Sequence, residues 1–512
     1  MPSNKLSRRE FLAYSSLAAL AWPSSHLFAD AAPSPVVLRT PCGTLRGEQA
    51  GTVRVFRGVP FAEPPVRALR FKPPVKVRPW QGERDATRFA AAAMQPGDGR
   101  IQRSEDCLYL NVWAPEGKGP FPVYMWIHGG GFTGGRSFDP LQDGAKFARE
   151  GIVCVTVAYR LGVFGFLDME PLLGAEYAGS ANNAVRDLIA ALEWVKENIA
   201  AFGGDPSRVT IGGESAGAKL TDTLMGVPSA QPLFHQMISE SGGAERIWPR
   251  GAAAGVAQGF GEMWQAQTKS STASLLTAPG SRLIEVQRDF MKQWPLHFPL
   301  RVEVDSMLIP QLPVKTIGEG STRGKRLLIG TNRDESALFL GPNPVKEVTP
   351  ANLGNVPIAR FNEVFERYKK IYPQMSIEQL RIHAVTAEEY WVPTMRVVNA
   401  HVHGGGKAWM YRLDFSETSG RFRGEAYHSL DVWLAWDKPH TDAANAADEA
   451  LLATQMFAAW TAFIRGETPE ASGLPKWPEY RSDTRPTMIL DTQSRVEQQP
   501  QEAELRLWDG VL

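Results

Sequence analysis

The chain has 512 residues, of which 43% are hydrophobic and 21% charged, a composition typical of a soluble globular protein. The 55 basic and 55 acidic residues balance, so the chain lacks the electrostatic footprint of a protein that binds nucleic acid or an anionic membrane. Three cysteines, Cys42, Cys107 and Cys154, are too few for a disulfide scaffold. No repeat or Pro/Gly/Ser-rich linker divides the chain, so we expect one large domain with long insertions.

The first 31 residues are expected to be a twin-arginine signal peptide. Arg8 and Arg9 precede an apolar run, and Ala29 and Ala31 supply small residues for cleavage after about residue 31. A membrane anchor is the disfavoured alternative, because the apolar stretch is too short to span a bilayer. Twin-arginine export carries folded proteins, so we expect residues 32–512 to fold in the reducing cytoplasm and to become periplasmic or secreted. The small number of cysteines is consistent with this.

Short apolar or alternating runs predict strands along the chain. In chain order they are RVFRGVPFA (54–62), LYLNVWAP (108–115), FPVYMWIH (121–128), GIVCVTVAY (151–159), RVTIGG (208–213), HQMISES (235–241) and RLLIGT (326–331). The runs FPVYMWIH and GIVCVTVAY are apolar almost throughout, as expected of central strands that are covered on both faces.

Helical patterns alternate with these runs. Within residues 182–206 the helical spacing of apolar residues ends at Gly203-Gly204 and Pro206, which should stop the helix; the apolar residues are Val185, Leu188, Ile189, Leu192, Val195 and Ile199. Strands that alternate with helices predict an α/β fold with a mostly parallel central sheet flanked by helices. We expect residues 250–320 and 342–400 to form helical or irregular insertions over the carboxyl edge of the sheet, where open α/β folds bind ligands.

The pentapeptide Gly213-Glu214-Ser215-Ala216-Gly217 comes at the end of an apolar strand-like run and matches G-x-S-x-G. This pattern forms the sharp strand-to-helix turn that lifts a serine hydroxyl above a sheet. The turn is strained, and only glycine tolerates the crowding two positions away. The alternative is a glycine-rich turn with an incidental serine, since short motifs recur by chance. Ser215 is therefore a candidate nucleophile that the rest of the chain must support.

A second glycine motif precedes this serine. The stretch WIHGGGF has three glycines directly after His128. It matches the HGGG-type loop whose backbone N–H groups face a developing oxyanion. Glycine lets backbone amides approach the substrate with no side chain between. The same letters recur at His403–Gly406, but between a helical pattern and the strand-like run AWMYRLDF, so we expect a connecting turn there. His401-x-His403 suggests a metal only weakly, because no further ligand cluster accompanies it.

Several ordered blocks resemble the type-B carboxylesterases, the cholinesterase-like branch of the α/β-hydrolases. The blocks are VFRGVPFAEPPVRALRFKPP, SEDCLYLNVWAP, AYRLGVFGFL, NIAAFGGDPSRVT, GGESAGA, GTNRDESALF and YHSLDVWLAW. The resemblance runs from about residue 36 to the carboxyl end. It implies an α/β-hydrolase fold and a carboxylic-ester hydrolase.

By position, the resemblance implies that Glu335 of NRDES is the acid of a catalytic triad and that His428 of GEAYHSLD is its base. The order Ser215, Glu335, His428 is the α/β-hydrolase order. A lone histidine is usually structural, so the assignment of His428 among nine histidines depends on its sequence context.

The implied reaction is acyl transfer in two steps. Ser215 attacks an ester carbonyl while His428 takes its proton, and water then hydrolyses the acyl-enzyme. The backbone amides of Gly130, Gly131 and Ala216 would hold the oxyanion. This chemistry needs no metal and no organic cofactor, and its partner is a small-molecule ester.

The sequence departs from the family pattern at three places. The family commonly has a cysteine that bonds to the one in EDCLYLN, but Met94 stands about there, so we expect Cys107 to be a free, buried thiol. The usual DQ pair of the helix before the serine appears as Asp187-Leu188. The usual glutamate on the alcohol side, after the base, appears as Asp431. We expect neither acid to touch the triad.

A catalytically silent binding or adhesion protein of the same fold is the non-enzyme alternative, and the retained triad positions and glycines weigh against it. The chain contains no S-x-x-K, the motif of a β-lactamase-like esterase, and no H-E-x-x-H, the motif of a zinc hydrolase. The 15 tryptophans and 24 phenylalanines are numerous enough to line a substrate gorge, although most such residues belong to cores.

Overall fold

The computed structural model describes residues 33–97, 99–249, 251–295, 298–341, 345–440 and 445–512. The signal peptide predicted at residues 1–31 lies outside the described residues. Within them, the main sheet has 13 strands.

The strands in chain order are β1 (Ser34–Thr40), β2 (Gly43–Ala50), β3 (Val53–Pro60), β4 (Glu83–Asp85), β5 (Ala92–Ala93), β6 (Arg103–Ser104), β7 (Tyr109–Pro115), β8 (Phe121–Ile127), β9 (Val153–Val157), β10 (Gly204–Glu214), β11 (Gln236–Glu240), β12 (Ile247–Trp248), β13 (Val302–Glu303), β14 (Arg326–Asn332), β15 (Lys407–Leu413), β16 (Pro486–Leu490) and β17 (Arg495–Gln498).

The α-helices are α1 (Ala145–Arg149), α2 (Val163–Phe166), α3 (Glu170–Leu173), α4 (Asn183–Asn198), α5 (Ala216–Met225), α6 (Ala252–Thr268), α7 (Gly280–Gln293), α8 (Pro313–Gly318), α9 (Ala337–Leu340), α10 (Ile358–Ile371), α11 (Ile377–Thr386), α12 (Val392–His403), α13 (Leu430–Ala435), α14 (Ala446–Ile464) and α15 (Glu502–Leu507). A π-helical turn, Ala387–Trp391, joins α11 to α12. Short 3₁₀ turns are Arg67–Leu69, Pro140–Gln142, Ala175–Tyr177, Ser180–Asn182, Ile199–Phe202, Pro228–Leu233, Thr272–Leu276 and Pro350–Asn352.

The strands of the main sheet lie in the order β1-β2-β3-β7-β9-β8-β10-β11-β14-β15-β16-β17, with β4 beside β2. Neighbouring strands from β9 to β16 run parallel. The strands before β9 in this order, and β17 at the far edge, pair antiparallel. The predicted fold class, a mostly parallel sheet flanked by helices, is confirmed.

The burial of the central strands explains why they could be predicted from the sequence. Every residue of β9 is buried, and β8 is buried except at its first residue, because helices cover both faces of the sheet. Helix α4 buries its apolar face, including Leu188 and Leu192, and ends through a 3₁₀ turn at Gly203. Gly203 has φ 86°, the left-handed conformation that favours glycine, so the predicted helix stop is confirmed.

Both insertions contain helices, as predicted, and both reach the carboxyl ends of the strands. The ring of Phe298, from the first insertion, packs against the glycine loop that follows β8. The ring of Tyr390, from the second, lies 4.7 Å from the imidazole of His428. The insertions therefore cover the edge at which the candidate site lies. Within the described residues, none of the helices combines the length and the apolar character that crossing a bilayer needs.

The three cysteines are buried free thiols, as expected for Cys107. Met94 and Cys107 line the same small cavity of about 10 Å³. Burial raises the pKa of the Cys107 thiol well above its usual range, which keeps it protonated and unreactive.

Candidate active site

Ser215 stands between β10 and α5 in a sharp turn. Its φ of 54° and ψ of −121° are rare for a residue with a side chain and place it above the end of the strand. The glycines two positions away are required by close packing. A Cβ atom on Gly213 would lie 2.5 Å from the carbonyl oxygen of Ile127, and one on Gly217 would lie 2.0 Å from the same atom. The sequence therefore folds at this point only with glycine on both sides of the serine.

The structure brings Ser215, His428 and Glu335 together from three separate segments. Nε2 of His428 lies 2.9 Å from Oγ of Ser215, and Nδ1 of His428 lies 2.5 Å from Oε2 of Glu335. Glu335 follows β14 and His428 lies between β15 and α13, so both side chains start from the carboxyl edge of the sheet. Exposure is 9% for Ser215, 4% for His428 and 0% for Glu335, so these contacts are shielded from water.

Glu335 is held by two further donors. Its Oε1 accepts hydrogen bonds from the hydroxyl of Ser241 at 2.5 Å and from the backbone N–H of Asn332 at 2.8 Å. Burial raises the pKa of the Glu335 carboxyl, and these two hydrogen bonds oppose the increase because they favour the ionised form. Ser241 and Asn332 carry no motif of their own, so the sequence did not predict them as partners of Glu335.

The neighbouring carboxylate, Asp334, faces a different partner. Its Oδ2 accepts from the backbone N–H of Ala426 at 2.9 Å, and its own N–H donates to the carbonyl oxygen of Ala426 at 2.9 Å. Arg333 also pairs with this carboxylate. Asp334 thus fastens the loop of Glu335 to the loop of His428 without touching the imidazole.

A second carboxylate lies beside the imidazole. Oε1 of Glu214 is 3.1 Å from Nε2 of His428 and accepts from the hydroxyl of Ser429 at 2.5 Å. Burial raises the pKa of Glu214 to about 7. Burial also lowers the pKa of His428, although the nearby Glu214 charge opposes this, so the imidazole is available as a neutral base. Glu214 is the variable residue before Ser215 in G-x-S-x-G, a position for which the motif specifies no role.

The first glycine loop lies against the serine. A Cβ atom on Gly129 would be 3.3 Å from Cβ of Ser215. Gly130 and Gly131 have φ values of 114° and 61°, which side chains rarely adopt. Ala216 begins α5, so its backbone N–H is one of the amides that a helix start leaves without an intrahelical acceptor. Gly130 and Gly131 therefore follow, in the same loop, a glycine that lies against Ser215, and Ala216 is the next residue after the serine.

The second glycine motif is a connecting turn, as predicted. His403 is the last residue of α12, and Gly404–Gly406 lead into β15. His401 uses both ring nitrogens, with Nδ1 2.7 Å from the hydroxyl of Thr322 and Nε2 3.2 Å from the carbonyl oxygen of Lys407. In the described part of the chain, no group of three or more His, Cys, Asp or Glu side chains is arranged to hold a metal ion.

Asp187 and Asp431, the two acidic residues at which the sequence departs from the family pattern, form buried contacts outside the triad. Asp187 forms a buried bidentate ion pair with Arg160, with N–O distances of 2.8 and 2.7 Å. Asp431 accepts from the hydroxyl of Tyr411 at 2.7 Å and from the side-chain amide of Asn332 at 3.2 Å. Asp431 therefore contacts the residue whose backbone supports Glu335, rather than Ser215 or His428.

The model of the carboxylesterase family matches residues 34–508. The chain belongs to this family. It is 34% identical to the para-nitrobenzyl esterase of Bacillus subtilis (strain 168) over 493 residues, which cover 91% of this chain and 96% of that protein. It is 32% identical to the fumonisin B1 esterase of Sphingopyxis macrogoltabida, over 87% of this chain and 84% of that one.

Solved structures agree with this family. A para-nitrobenzyl (PNB) esterase structure superposes with a TM-score of 0.81 at 32% identity and covers 92% of this chain and 99% of its own. The carboxylesterase EST55 of Geobacillus stearothermophilus, solved at pH 6.2, gives the same TM-score, identity and coverage. The carboxylesterase is thus a serine carboxylic-ester hydrolase of the α/β-hydrolase fold that acts on small-molecule esters, and the resemblance inferred from the sequence blocks is confirmed. These relatives are named as esterases, which disfavours the silent binding protein.

Proposed function

We propose that Ser215, His428 and Glu335 are the nucleophile, base and acid of the carboxylesterase, and that it works through an acyl-enzyme. The observation that carries the proposal is the 2.9 Å contact between Nε2 of His428 and Oγ of Ser215, backed by the 2.5 Å contact between His428 and Glu335. In the first step Oγ bonds to the ester carbonyl carbon, its proton moves to Nε2, and the carbonyl electron pair becomes the oxyanion.

The oxyanion would accept hydrogen bonds from the amides of Gly130, Gly131 and Ala216. When the tetrahedral intermediate collapses, the bond to the alcohol oxygen breaks and Nε2 returns its proton to that oxygen. Water then attacks the acyl-enzyme with His428 as base, which releases the carboxylic acid and restores Ser215. Glu335 keeps the imidazole proton on Nδ1 and stabilises the imidazolium that forms in each step.

Ser215→Ala tests the proposal and should lower turnover by about a million-fold without unfolding the protein. Active-site labelling gives an independent readout. Trypsin should release residues 209–219, VTIGGESAGAK, in which Ser215 is the sole serine, so a fluorophosphonate should add its mass to that peptide. Ser207→Ala, at an exposed position just outside the peptide, is the matched control and should retain activity. Label on another serine, or activity that survives Ser215→Ala, would refute the assignment.

We also propose that residues 1–31 direct the carboxylesterase through the twin-arginine route to the periplasm or beyond, leaving residues 32–512 as the catalytic domain. Arg8-Arg9 before an apolar run supports this. Arg8→Lys with Arg9→Lys should retain active enzyme in the cytoplasm, measured by esterase activity after cell fractionation. Normal export of the double variant would contradict the proposal.

A further inference from the structure

Three cationic side chains are buried beside the candidate active site. Lys219, Arg246 and Arg301 are exposed by only 3%, 3% and 4%. Lys219 belongs to α5, which starts directly after Ser215, whereas Arg246 precedes β12 and Arg301 precedes β13. A buried cation is costly unless carboxylates and hydrogen bonds compensate it, so the partners of Lys219 and Arg246 decide whether either could also bind a substrate.

Lys219 is well compensated. Its ammonium group donates to the carbonyl oxygens of Gly242 at 2.7 Å and Glu389 at 3.1 Å, and it lies 3.3 Å from Oε1 of Glu389. The neighbouring carboxylate, Glu388, is committed elsewhere, because it accepts from the backbone N–H groups of residues 354–356. Glu389 is therefore the carboxylate that must also serve the guanidinium of Arg246.

Arg246 shares the carboxylate of Glu389 with Lys219. Its Nη2 forms an ion pair with Oε1 of Glu389, but among the described residues neither its Nε nor its Nη2 has a partner in hydrogen-bonding geometry. A guanidinium offers five N–H donors in a planar fork. Arg301 adds a like charge nearby: burial, followed by the charge of Arg246, lowers the pKa of Arg301 to about 10. The charges of Glu389 and Glu388 oppose this decrease.

The position of Arg246 relates it to the acyl side of the site. Its Cζ lies 3.5 Å from the ring centroid of Phe298. Cε1 of the same ring would be 2.7 Å from a Cβ atom on Gly131, so Phe298 contacts both the guanidinium and the glycine loop that follows β8. The leaving alcohol must lie beside His428 to receive its proton, near Tyr390. The acyl chain should then lie on the side of the ester carbonyl opposite the alcohol, along Gly131 and Phe298.

We infer that Arg246 makes the carboxylesterase selective for esters whose acyl chain carries a carboxylate, such as half-esters of dicarboxylic or polycarboxylic acids. The inference rests on the proposed role of Ser215, because that role fixes which side holds the acyl group. A carboxylate that reaches past Phe298 meets a guanidinium able to pair with both of its oxygens, the strong bidentate case. It also accepts hydrogen bonds from the buried N–H groups of Arg246 that have no acceptor in hydrogen-bonding geometry among the described residues.

Three ethyl esters with five-carbon acyl chains test the selectivity on the wild-type enzyme. Ethyl hydrogen glutarate ends in a carboxylate, ethyl glutaramate in a neutral carboxamide of nearly the same shape, and ethyl pentanoate in a methyl group. Chromatography of the acid products gives kcat/KM for each. We expect the half-ester to exceed the glutaramate ester by about tenfold or more, since charge-assisted pairs are stronger than neutral ones. Equal values for these two esters would overturn the inference.

Arg246→Met removes the charge at similar length. The ratio of kcat/KM for ethyl hydrogen glutarate to that for ethyl glutaramate should fall to about one, which loses the roughly tenfold preference of the wild type. Arg246→Lys should retain part of the ratio. Arg396→Met is the matched control, because Arg396 pairs with Glu245 beside Arg246 at 3.2 Å but is half-exposed, and it should leave the ratio unchanged. An unchanged ratio in Arg246→Met, or an equal fall in both methionine variants, would overturn the inference.

If Arg246→Met does not fold, inhibition of the wild-type enzyme still tests the inference. Glutarate should inhibit ethyl pentanoate hydrolysis at least about tenfold more strongly than glutaramide, and equal inhibition would overturn the inference. The nucleophile is tested separately by Ser215→Ala. An enzyme that hydrolyses ethyl pentanoate through Ser215 but does not prefer the half-ester would refute the selectivity alone.

Discussion

Glu335→Gln should disable the carboxylesterase by reversing the tautomer of His428. In the wild-type enzyme, Oε1 of Glu335 accepts from Ser241 and from the backbone of Asn332, while Oε2 lies 2.5 Å from Nδ1 of His428. Glutamine has one oxygen, which should occupy the Oε1 position because the backbone N–H of Asn332 can only donate. The amide nitrogen then donates to Nδ1, and the imidazole proton must reside on Nε2, facing Ser215.

An imidazole with its proton on Nε2 cannot accept the proton of Ser215. The equivalent carboxylate-to-amide change in a serine protease triad lowers kcat by about 10⁴-fold, or about 5.4 kcal/mol in the barrier. We expect kcat for p-nitrophenyl butyrate to fall by about 10³- to 10⁴-fold. KM should change by less than about threefold, because Glu335 is fully buried and does not face the substrate. Initial rates, with circular dichroism to verify folding, measure both.

Asp334→Asn is the matched control. The new side-chain oxygen can still accept from Ala426, whereas the ion pair with the partly exposed Arg333 is lost. Because Asp334 itself is buried, loss of its charge should cost about 1–3 kcal/mol of stability, whereas turnover of the folded variant should fall by less than about tenfold. If Glu335→Gln retains kcat within about tenfold of the wild type, the tautomer reasoning is refuted. If Asp334→Asn is the weaker catalyst while both variants fold, Asp334 is the triad acid.

Two further predictions concern the glycine loops and one histidine. Gly131→Ala should lower kcat by about 10²- to 10³-fold if its amide serves the oxyanion. The control, Gly405→Ala, introduces a side chain at a similarly positive φ of 89° but should leave kcat unchanged. Equal losses of kcat in the two variants would mean that the wrong loop was chosen. Burial opposes protonation of His383, but Glu504 and Asp334 outweigh it and raise its pKa. That contribution to stability is present below the unfolded pKa of about 6.5 and is lost as pH rises through the raised folded value, so His383→Gln should lower Tm more at about pH 6 than at about pH 9. An equal loss of Tm at both pH values would contradict this.

The sequence patterns located the central strands and missed the edges of the sheet, for a physical reason. Central strands are buried on both faces, so their sequences are apolar runs that stand out. Strand β1 has no buried residue and β17 has none either, so neither carries such a run. The π-helical turn at Ala387–Trp391 was equally unreadable, because its residues continue the helical pattern on each side.

Site residues could be predicted from the sequence where their contacts are with neighbours in the chain, and not where their contacts are with distant segments. The turn at Ser215 is specified by its own neighbours, so five letters predict it. The partners of Glu335 are not: Ser241 lies 94 residues away in the chain and meets it only because β11 and β14 are adjacent in the sheet. Arg246 could not be selected from the sequence for the same reason, since its contacts are with Glu389 and Phe298, which belong to two different insertions.

The protonation of His428 is set by opposing groups that the fold collects around it. Burial is the largest influence and lowers its pKa; Glu214 and Asp431 oppose this, while Lys219 and Arg246 reinforce it. Because Glu214 has a pKa raised to about 7 and stands 3.1 Å from Nε2, the carboxyl and the imidazole compete for one proton. Two groups this strongly coupled titrate as a pair, so the acid limb of the pH–rate profile belongs to both. Glu214→Gln should therefore shift that limb to lower pH, because it removes the negative charge that helps to protonate the base.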